Sequence, residues 1–368
     1  MTNIIKHDTL NIVLCKMLDQ PISFATSHNE QLQGGTLGDV QLVSGFAQTF
    51  DNEEISYKVV WKKQNRWERP GDPDSWRREF DLYQSELKAA FIPSFRQPEC
   101  YHLEISNETI ELWLEYIEGV SGGDLSIEML EQAALELGRF QGKINQRHED
   151  LRSISCLGDT GFLVREFSQW HRQSYTYDYL ISKQSRLAEF LKEMLKNGQI
   201  QLVDGKSFEY SYLRSKGCDI PEELKQMLID IDDHKDELFK RLKNLPIVLC
   251  HRDFWIENIF FTDGAIRLID WDTAGWGYLG EDIASLIVDG MDVDRFEENY
   301  NRLVPAYLKG LKEYIDIHDI DKMCIFEMIL IKFGYRMMQE RMFSETFDKG
   351  NWGMNALLKV YEIMNSMK

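Results

Sequence analysis

The chain has 368 residues, enough for two lobes or domains with a sizeable core, and its 43% hydrophobic and 28% charged content is ordinary for a soluble globular protein. Its 42 basic and 61 acidic residues give a net charge of −19. That argues against nucleic acid and anionic membrane as partners, since both need basic surface, and allows a cationic small substrate, although acidic surface also serves solubility alone.

Six scattered cysteines (Cys15, Cys100, Cys156, Cys218, Cys250, Cys324) form no Cys-x-x-Cys or Cys/His cluster. The first twenty residues do not read as a signal peptide, and no run of 18 apolar residues occurs. The expectation is a cytoplasmic chain with free thiols and no membrane span.

In chain order, residues 1–30 read as a short helix followed by irregular structure. Leu32 to Val43 reads as strand, glycine-rich turn (Gly34-Gly35-Thr36), strand. Glycines there let backbone N–H groups approach a phosphate closely, though an ordinary hairpin has the same pattern. Glu54 to Lys63 reads as a strand whose Lys58 and Lys62 share one face. Trp67 to Ser75 is a loop. Beyond it Trp76, Phe80, Tyr83 and Leu87 recur at helical spacing on a helix that also carries Glu79.

Thr109 to Gly119 alternates and then turns apolar, a strand passing into a hinge at Glu115 to Ile117. Ser126 to Lys143 is an amphipathic helix with Leu130, Ala134, Leu137 and Phe140-Gln141 on one side. Residues 150–245 contribute further helices. Tyr175 and Tyr179 share a face of one of them, close to Trp170 and His171. That face reads either as a substrate wall that holds an ammonium by cation–π contact or as packing between helices. Pro221 opens another helix, whose apolar stripe from Leu224 to Leu245 predicts one continuous element stopped by Pro246. Phe326 to Tyr335 reads as a largely buried helix.

The chemistry concentrates between Val248 and Asp272. Apolar runs flank Asp263-Gly264, a two-strand turn signal, with polar residues at the strand ends: Asp253 and Asn258 before the hairpin, Asp270 after it. A base, an amide oxygen and a carboxylate can converge there. A phosphoryl-transfer site needs that set, one carboxylate to orient the attacking hydroxyl, and an amide with a second carboxylate to hold magnesium on the phosphates.

His251-x-Asp253-x-x-x-x-Asn258, the hairpin and Ile269-Asp270 resemble the catalytic core of the aminoglycoside phosphotransferase and choline kinase group, small-molecule kinases with a protein-kinase-like fold. Only twelve positions separate Asp270 from Asp282, and Gly280-Glu281-Asp282-Ile283-Ala284 resembles the short segment of that group. The interval leaves no room for a long activation segment, which disfavours a protein kinase.

The resemblance implies an α+β fold of two lobes. An N-terminal antiparallel sheet lobe, residues 1–117, would bind nucleotide; a larger, mainly helical C-terminal lobe, residues 118–368, would carry catalysis and substrate binding. The implied cofactors are ATP (or GTP) and Mg2+, and the implied reaction is phosphorylation of a hydroxyl on a small molecule that is aminoglycoside-like, choline-like or a sugar or amino-alcohol. Gly34, Gly35 and Thr36 correspond to the nucleotide loop. Lys62 is the phosphate lysine, with Lys58 as the alternative, and Glu79 is its partner. Backbone groups of Glu115 and Ile117 would meet the adenine edge. Asp253 would orient the hydroxyl, Asn258 and Asp270 would bind magnesium, and His251 would brace the loop. Trp271, Asp272, Tyr175 and Tyr179 are substrate candidates, Asp272 being equally open to a second metal or to solvent. The competing reading is a non-catalytic pseudokinase-type binding module; Lys62, Glu79, Asp253, Asn258 and Asp270 occurring together weigh against it.

Overall fold

The computed structural model describes residues 7–32, 38–69, 72–173, 186–318, 320, 323–343 and 347–366. The fold is mixed α+β, and the chain divides into two units that each take up several segments. One comprises Met1–Asp124, Glu149–Gly158 and Glu257–Ala274; the other comprises Leu125–His148, Asp159–Ile256 and Gly275–Lys368. Among the described residues no helix is long and apolar enough to cross a membrane.

The first unit runs α1 (His7–Leu18), β1 (Ile22–Ala25), β2 (His28–Gln31), β3 (Gly38–Thr49), β4 (Glu54–Asn65), α2 (Ser75–Gln84), β5 (Phe95–Arg96), β6 (Cys100–Ile105), β7 (Thr109–Glu115) and β8 (Val120–Ser121). Its main sheet is antiparallel in the order β1-β3-β4-β7-β6, with β2 paired to β3. The alternation of β4 decides what each face covers. Tyr57, Val59 and Trp61 pack with Leu10, Val13 and Leu14 of α1, and Trp61 stacks on Trp113 at 5.8 Å between ring centroids. On the other face Val60 meets Leu112 and Leu114, against Trp76 and Phe80 of α2. The sheet is thus covered on both sides, and the even-numbered positions of β4, Lys62 among them, share the face that α2 covers.

Residues 7–30 carry more regular structure than their sequence suggests. β1 and β2 extend the sheet there, although Phe24 is 57% exposed and every residue of β2 is exposed. β1 buries only its two ends, Ile22 and Ala25, and β2 buries nothing; both are held by the backbone ladder to β3, so no alternating apolar pattern announces them.

The second unit carries α3 (Ile127–Gln146), β9 (Ile247–Cys250) and β12 (Gly275–Tyr278), and many further helices. The chain passes between units in α4 (His148–Leu151). The further helices are α5 (Phe162–Gln173), α6 (Arg186–Lys196), α7 (Phe208–Leu213), α8 (Glu222–Asp233), α9 (Lys235–Leu242), α10 (Glu281–Val288), α11 (Phe296–Lys312), α12 (Met323–Ile329), α13 (Tyr335–Phe343) and α14 (Phe347–Ser366). The first unit regains the chain at β10 (Ile259–Thr262) and β11 (Ala265–Leu268).

Ser126 caps α3 by accepting from Met129 N–H at 3.4 Å. α3 and α11 cross where neither can carry a side chain: a Cβ on Gly138 would lie 2.2 Å from the Tyr307 carbonyl oxygen, and one on Gly310 2.2 Å from that of Leu135. Two expected helices are interrupted. The stretch from Pro221 to Leu245 breaks at His234 (φ −116°, ψ 25°) into α8 and α9. Its apolar stripe survives because both halves bury it, through Leu224, Leu228 and Ile231, then Leu238 and Leu242. The stretch from Phe326 to Tyr335 contains a π turn, Leu330–Gly334, between α12 and α13.

Glu209 on α7 is fully buried. Burial pushes its carboxyl up to about 8; Ser207 and Gln339 favour the charged form without reversing that shift. Folded chain therefore keeps a proton that unfolded chain releases above the ordinary glutamate range. Stability should fall as pH rises from about 4.5 to about 8, by up to ~1.4 kcal/mol per unit. Glu209→Gln does not titrate, so its melting temperature should match that of the natural chain near pH 5 and exceed it increasingly toward pH 8. Parallel melting curves across that range would show that Glu209 is not held neutral.

Candidate active site

The hairpin that organises the site forms as its sequence requires. Asp263 and Gly264 both take positive φ (49° and 74°), and β10 pairs with β11 from Ile259↔Leu268 to Thr262↔Ala265. The Ile269 N–H donates to the Asn258 carbonyl at 3.1 Å, which closes the base of the hairpin with Asn258 and Asp270 at its two ends. Asp270 is left-handed (φ 65°, ψ 64°), a conformation that costs a non-glycine residue roughly 1–2 kcal/mol.

Trp271 anchors that turn. Its ring is fully buried, its Nε1–H donates to the Leu268 carbonyl at 2.7 Å, and it meets Phe91 edge-on at 5.2 Å. This corrects the expectation that Trp271 touches substrate: a ring without exposed surface, its one polar group already bonded, has no face to offer.

Lys62 stands in register with Val40 on β3 and Leu112 on β7. Its Nζ donates to Glu79 Oε2 at 2.5 Å and to Asp270 Oδ1 at 2.6 Å. The Lys62 and Glu79 side chains are 13% and 2% exposed, against 38% for Asp270. Burial by itself would lower the lysine pKa, but Asp270 and Glu79 outweigh it and hold the ammonium charged, above the ordinary lysine range. Lys58, four residues back on the same face, pairs at 2.5 Å with Glu118 through side chains that are 50% and 71% exposed. The structure therefore brings Lys62 to Glu79 and leaves Lys58 at the surface.

Arg78 is a residue the sequence reading missed. It is buried, grips Asp72 through Nη1 and Nη2 at 2.8 and 2.6 Å, and donates to the Asp272 carbonyl at 2.9 Å and the Cys156 carbonyl at 2.7 Å. It ties α2, and with it Glu79, to the turn that follows Asp270. In sequence it is one more charged residue on an amphipathic helix; only its burial sets it apart. The Asp272 side chain is itself buried, which removes the solvated reading. Burial and then the charge of Asp270 push its carboxyl upward, against the pull of Lys62 and Arg69.

In the second unit, β9 pairs with β12 through Cys250↔Gly275 and ends at His251-Arg252-Asp253. Arg252 is left-handed (φ 71°). Its guanidinium donates to the carbonyls of Asp159 and Trp276 at 2.7 and 2.8 Å and lies 4.2 Å from the Phe162 ring centroid. The buried Asp282 carboxylate, in the first turn of α10, accepts from His251 N–H and Arg252 N–H, both at 2.8 Å. His251 thus serves the loop through its backbone, and Asp253, half-buried, follows immediately.

At the hinge, the Glu115 N–H donates to the Glu99 carbonyl at 2.8 Å. Its carboxylate pairs with Arg96 at 2.8 Å and accepts from Glu99 N–H at 2.9 Å. Ile117 is half-buried in the connection between β7 and β8. Gly34, Gly35 and Thr36, and likewise Tyr175 and Tyr179, lie outside the described residues.

Among the described residues no group of three His, Cys, Asp or Glu side chains is arranged to hold a metal ion. A magnesium that keeps several waters and binds through one or two protein oxygens and a phosphate does not need one. Asn258 and Asp270, an amide and a carboxylate brought together by the Ile269–Asn258 bond, fit that kind of ion.

Residues 65–314, well over half of the chain, match the family APH, the phosphotransferase enzyme family, and the chain belongs to it. Its fold is that of protein-kinase-like small-molecule kinases. Choline kinase from Cryptosporidium parvum Iowa II matches with a TM-score of 0.56 and 16% identity, over 98% of this chain and 97% of that one. The aminoglycoside phosphotransferase from Alicyclobacillus acidocaldarius subsp. acidocaldarius DSM 446 matches with a TM-score of 0.51 and 11% identity, over 100% and 96%. A search of curated proteins finds no match.

Proposed function

We infer that this phosphotransferase is a kinase that uses ATP or GTP with magnesium to phosphorylate a hydroxyl of a small molecule. The observation that carries the reading is the buried Lys62 ammonium held between Glu79 and Asp270. A lysine fixed this way is oriented for nucleotide phosphates, and the second carboxylate that holds it is the one proposed for the metal. Residues 1–117 serve as the nucleotide lobe and residues 118–368 as the catalytic and substrate lobe. Asn258 and Asp270 hold magnesium, which when bound neutralises phosphate charge. Asp253 orients the hydroxyl and accepts its proton late in transfer. The acceptor is aminoglycoside-like, choline-like or a sugar or amino-alcohol, and the net charge of −19 suits a cationic one. The six cysteines are free thiols, in keeping with a reducing cytoplasmic setting.

The test pairs two measurements. ADP release is screened against choline, ethanolamine, aminoglycosides and sugars, with casein as the protein control. Nucleotide affinity is titrated with and without magnesium for the natural chain and Asp270→Ala. The reading expects release with a small alcohol and none above background with casein, and a magnesium-dependent gain in affinity that Asp270→Ala abolishes. Nucleotide binding without release for any acceptor would favour the binding-module reading. A full magnesium gain in Asp270→Ala would remove Asp270 as ligand.

A further inference from the structure

Behind the catalytic loop lies a buried chain of hydrogen bonds with no surface of its own. The Gln141 Nε2 group on α3 donates to Asp282 Oδ2 at 3.0 Å and to the Leu249 carbonyl at 3.2 Å. The Tyr307 hydroxyl on α11 donates to Gln141 Oε1 at 2.6 Å. Asp282 in turn accepts from His251 N–H and Arg252 N–H, both at 2.8 Å. Gln141 is 1% exposed, Asp282 1% and Tyr307 0%.

The chemistry fixes the direction of each bond. The Leu249 carbonyl can only accept, and the Asp282 carboxylate accepts both loop amides, so Gln141 must turn its NH2 toward them and its oxygen toward Tyr307. A hydroxyl is then needed there as donor. Burial raises the Tyr307 pKa well above the ordinary tyrosine value, so the hydroxyl keeps its proton. The α3–α11 crossing at Gly138 and Gly310 leaves no room to slide, which fixes where that hydroxyl sits.

The object of this chain is a strained turn. Arg252 is held at φ 71°, a conformation unfavourable for a non-glycine residue, and the two amides that grip Asp282 lie immediately before its Cα. The next residue is Asp253. We propose that Gln141 and Tyr307 are positioning residues: they fix the Asp282 carboxylate, which fixes the left-handed turn at Arg252, which sets the placement of Asp253. The proposal rests on the reading of Asp253 as the group that orients the attacking oxygen.

The probe is MgATP with water as acceptor, so that no alcohol need be identified. Tyr307→Phe removes one oxygen and keeps the ring; Gln141→Met keeps the length of the side chain and loses both polar atoms. Each should lower the turnover of phosphate release about tenfold, the order expected when a reacting group loses its alignment, while MgATP affinity stays within twofold of the natural chain. Melting temperature, measured alongside, keeps the assay below any unfolding. In an Asp253→Asn background, Tyr307→Phe should produce no further loss.

Turnover within twofold of the natural chain for Tyr307→Phe and Gln141→Met overturns the proposal. So does a loss that persists undiminished in the Asp253→Asn background, since the pair would then act on something other than Asp253. If Asp253→Asn alone leaves phosphate release unchanged, the reading of Asp253 fails first and the proposal falls with it.

Discussion

Asp253→Asn should lower turnover by ~10²–10⁴-fold while the chain still folds and still binds nucleotide. The substitution keeps the shape of the side chain and exchanges a proton acceptor for an amide. In a transfer where the nucleophile is a neutral hydroxyl, the carboxylate contributes by accepting a hydrogen bond that aligns the oxygen and by capturing the proton as the bond to phosphorus forms. An asparagine can align through its own carbonyl but cannot take the proton, and it can also rotate its NH2 toward the nucleophile. The fold should be indifferent, because what shapes this loop is the bonding of His251 N–H and Arg252 N–H to Asp282 and of the Arg252 guanidinium to two carbonyls. Turnover is measured at saturating nucleotide with the best acceptor from the screen. Activity within a few-fold of the natural chain would remove Asp253 from its role.

The parts of this site that could be read in the sequence are those carried by local pattern. Asp263-Gly264 between apolar runs announces the hairpin, and the hairpin alone dictates that Asn258 and Asp270 stand at its two ends. Strand alternation puts Lys62 on one face of β4, and helical spacing puts Glu79 beside Phe80 on α2; a resemblance was needed only to suggest that the two meet. Local pattern fails where a role depends on partners far along the chain. Arg78 reads as a surface charge until its bonds to Asp72 and to the Asp272 carbonyl are seen. Gln141 reads as the polar edge of an apolar stripe, although it bonds Tyr307, 166 positions away. Trp271 erred in the other direction: an aromatic residue beside a candidate metal ligand invites a substrate role, and burial denies it. The left-handed backbone at Arg252 and Asp270 leaves no trace in residue type, since neither is glycine and both are held by their surroundings.

Lys62→Ala should cut turnover by at least ~10²-fold, by loss of a charge aligned on the reacting phosphates, and should weaken nucleotide binding as well. It should also destabilise the first unit, because Glu79, only 2% exposed, and Asp270 would be left without the cation between them. Breaking a buried pair from one side typically costs ~3–5 kcal/mol. Glu79→Ala removes the brace and leaves Lys62 its bond to Asp270, so its loss of turnover should be real but smaller. Lys58→Ala is the control. Lys58 lies on the same face but about 13 Å further back, at ~3.3 Å per residue. Its pair with Glu118 is in solvent, where such pairs add little to stability, so turnover and melting temperature should barely move. The measurements are turnover, nucleotide affinity and melting temperature for the three variants. The decisive comparison is between the two lysines: if Lys58→Ala were the damaging change and Lys62→Ala the silent one, the buried Lys62–Glu79–Asp270 arrangement would be a structural ion cluster with no part in phosphate binding.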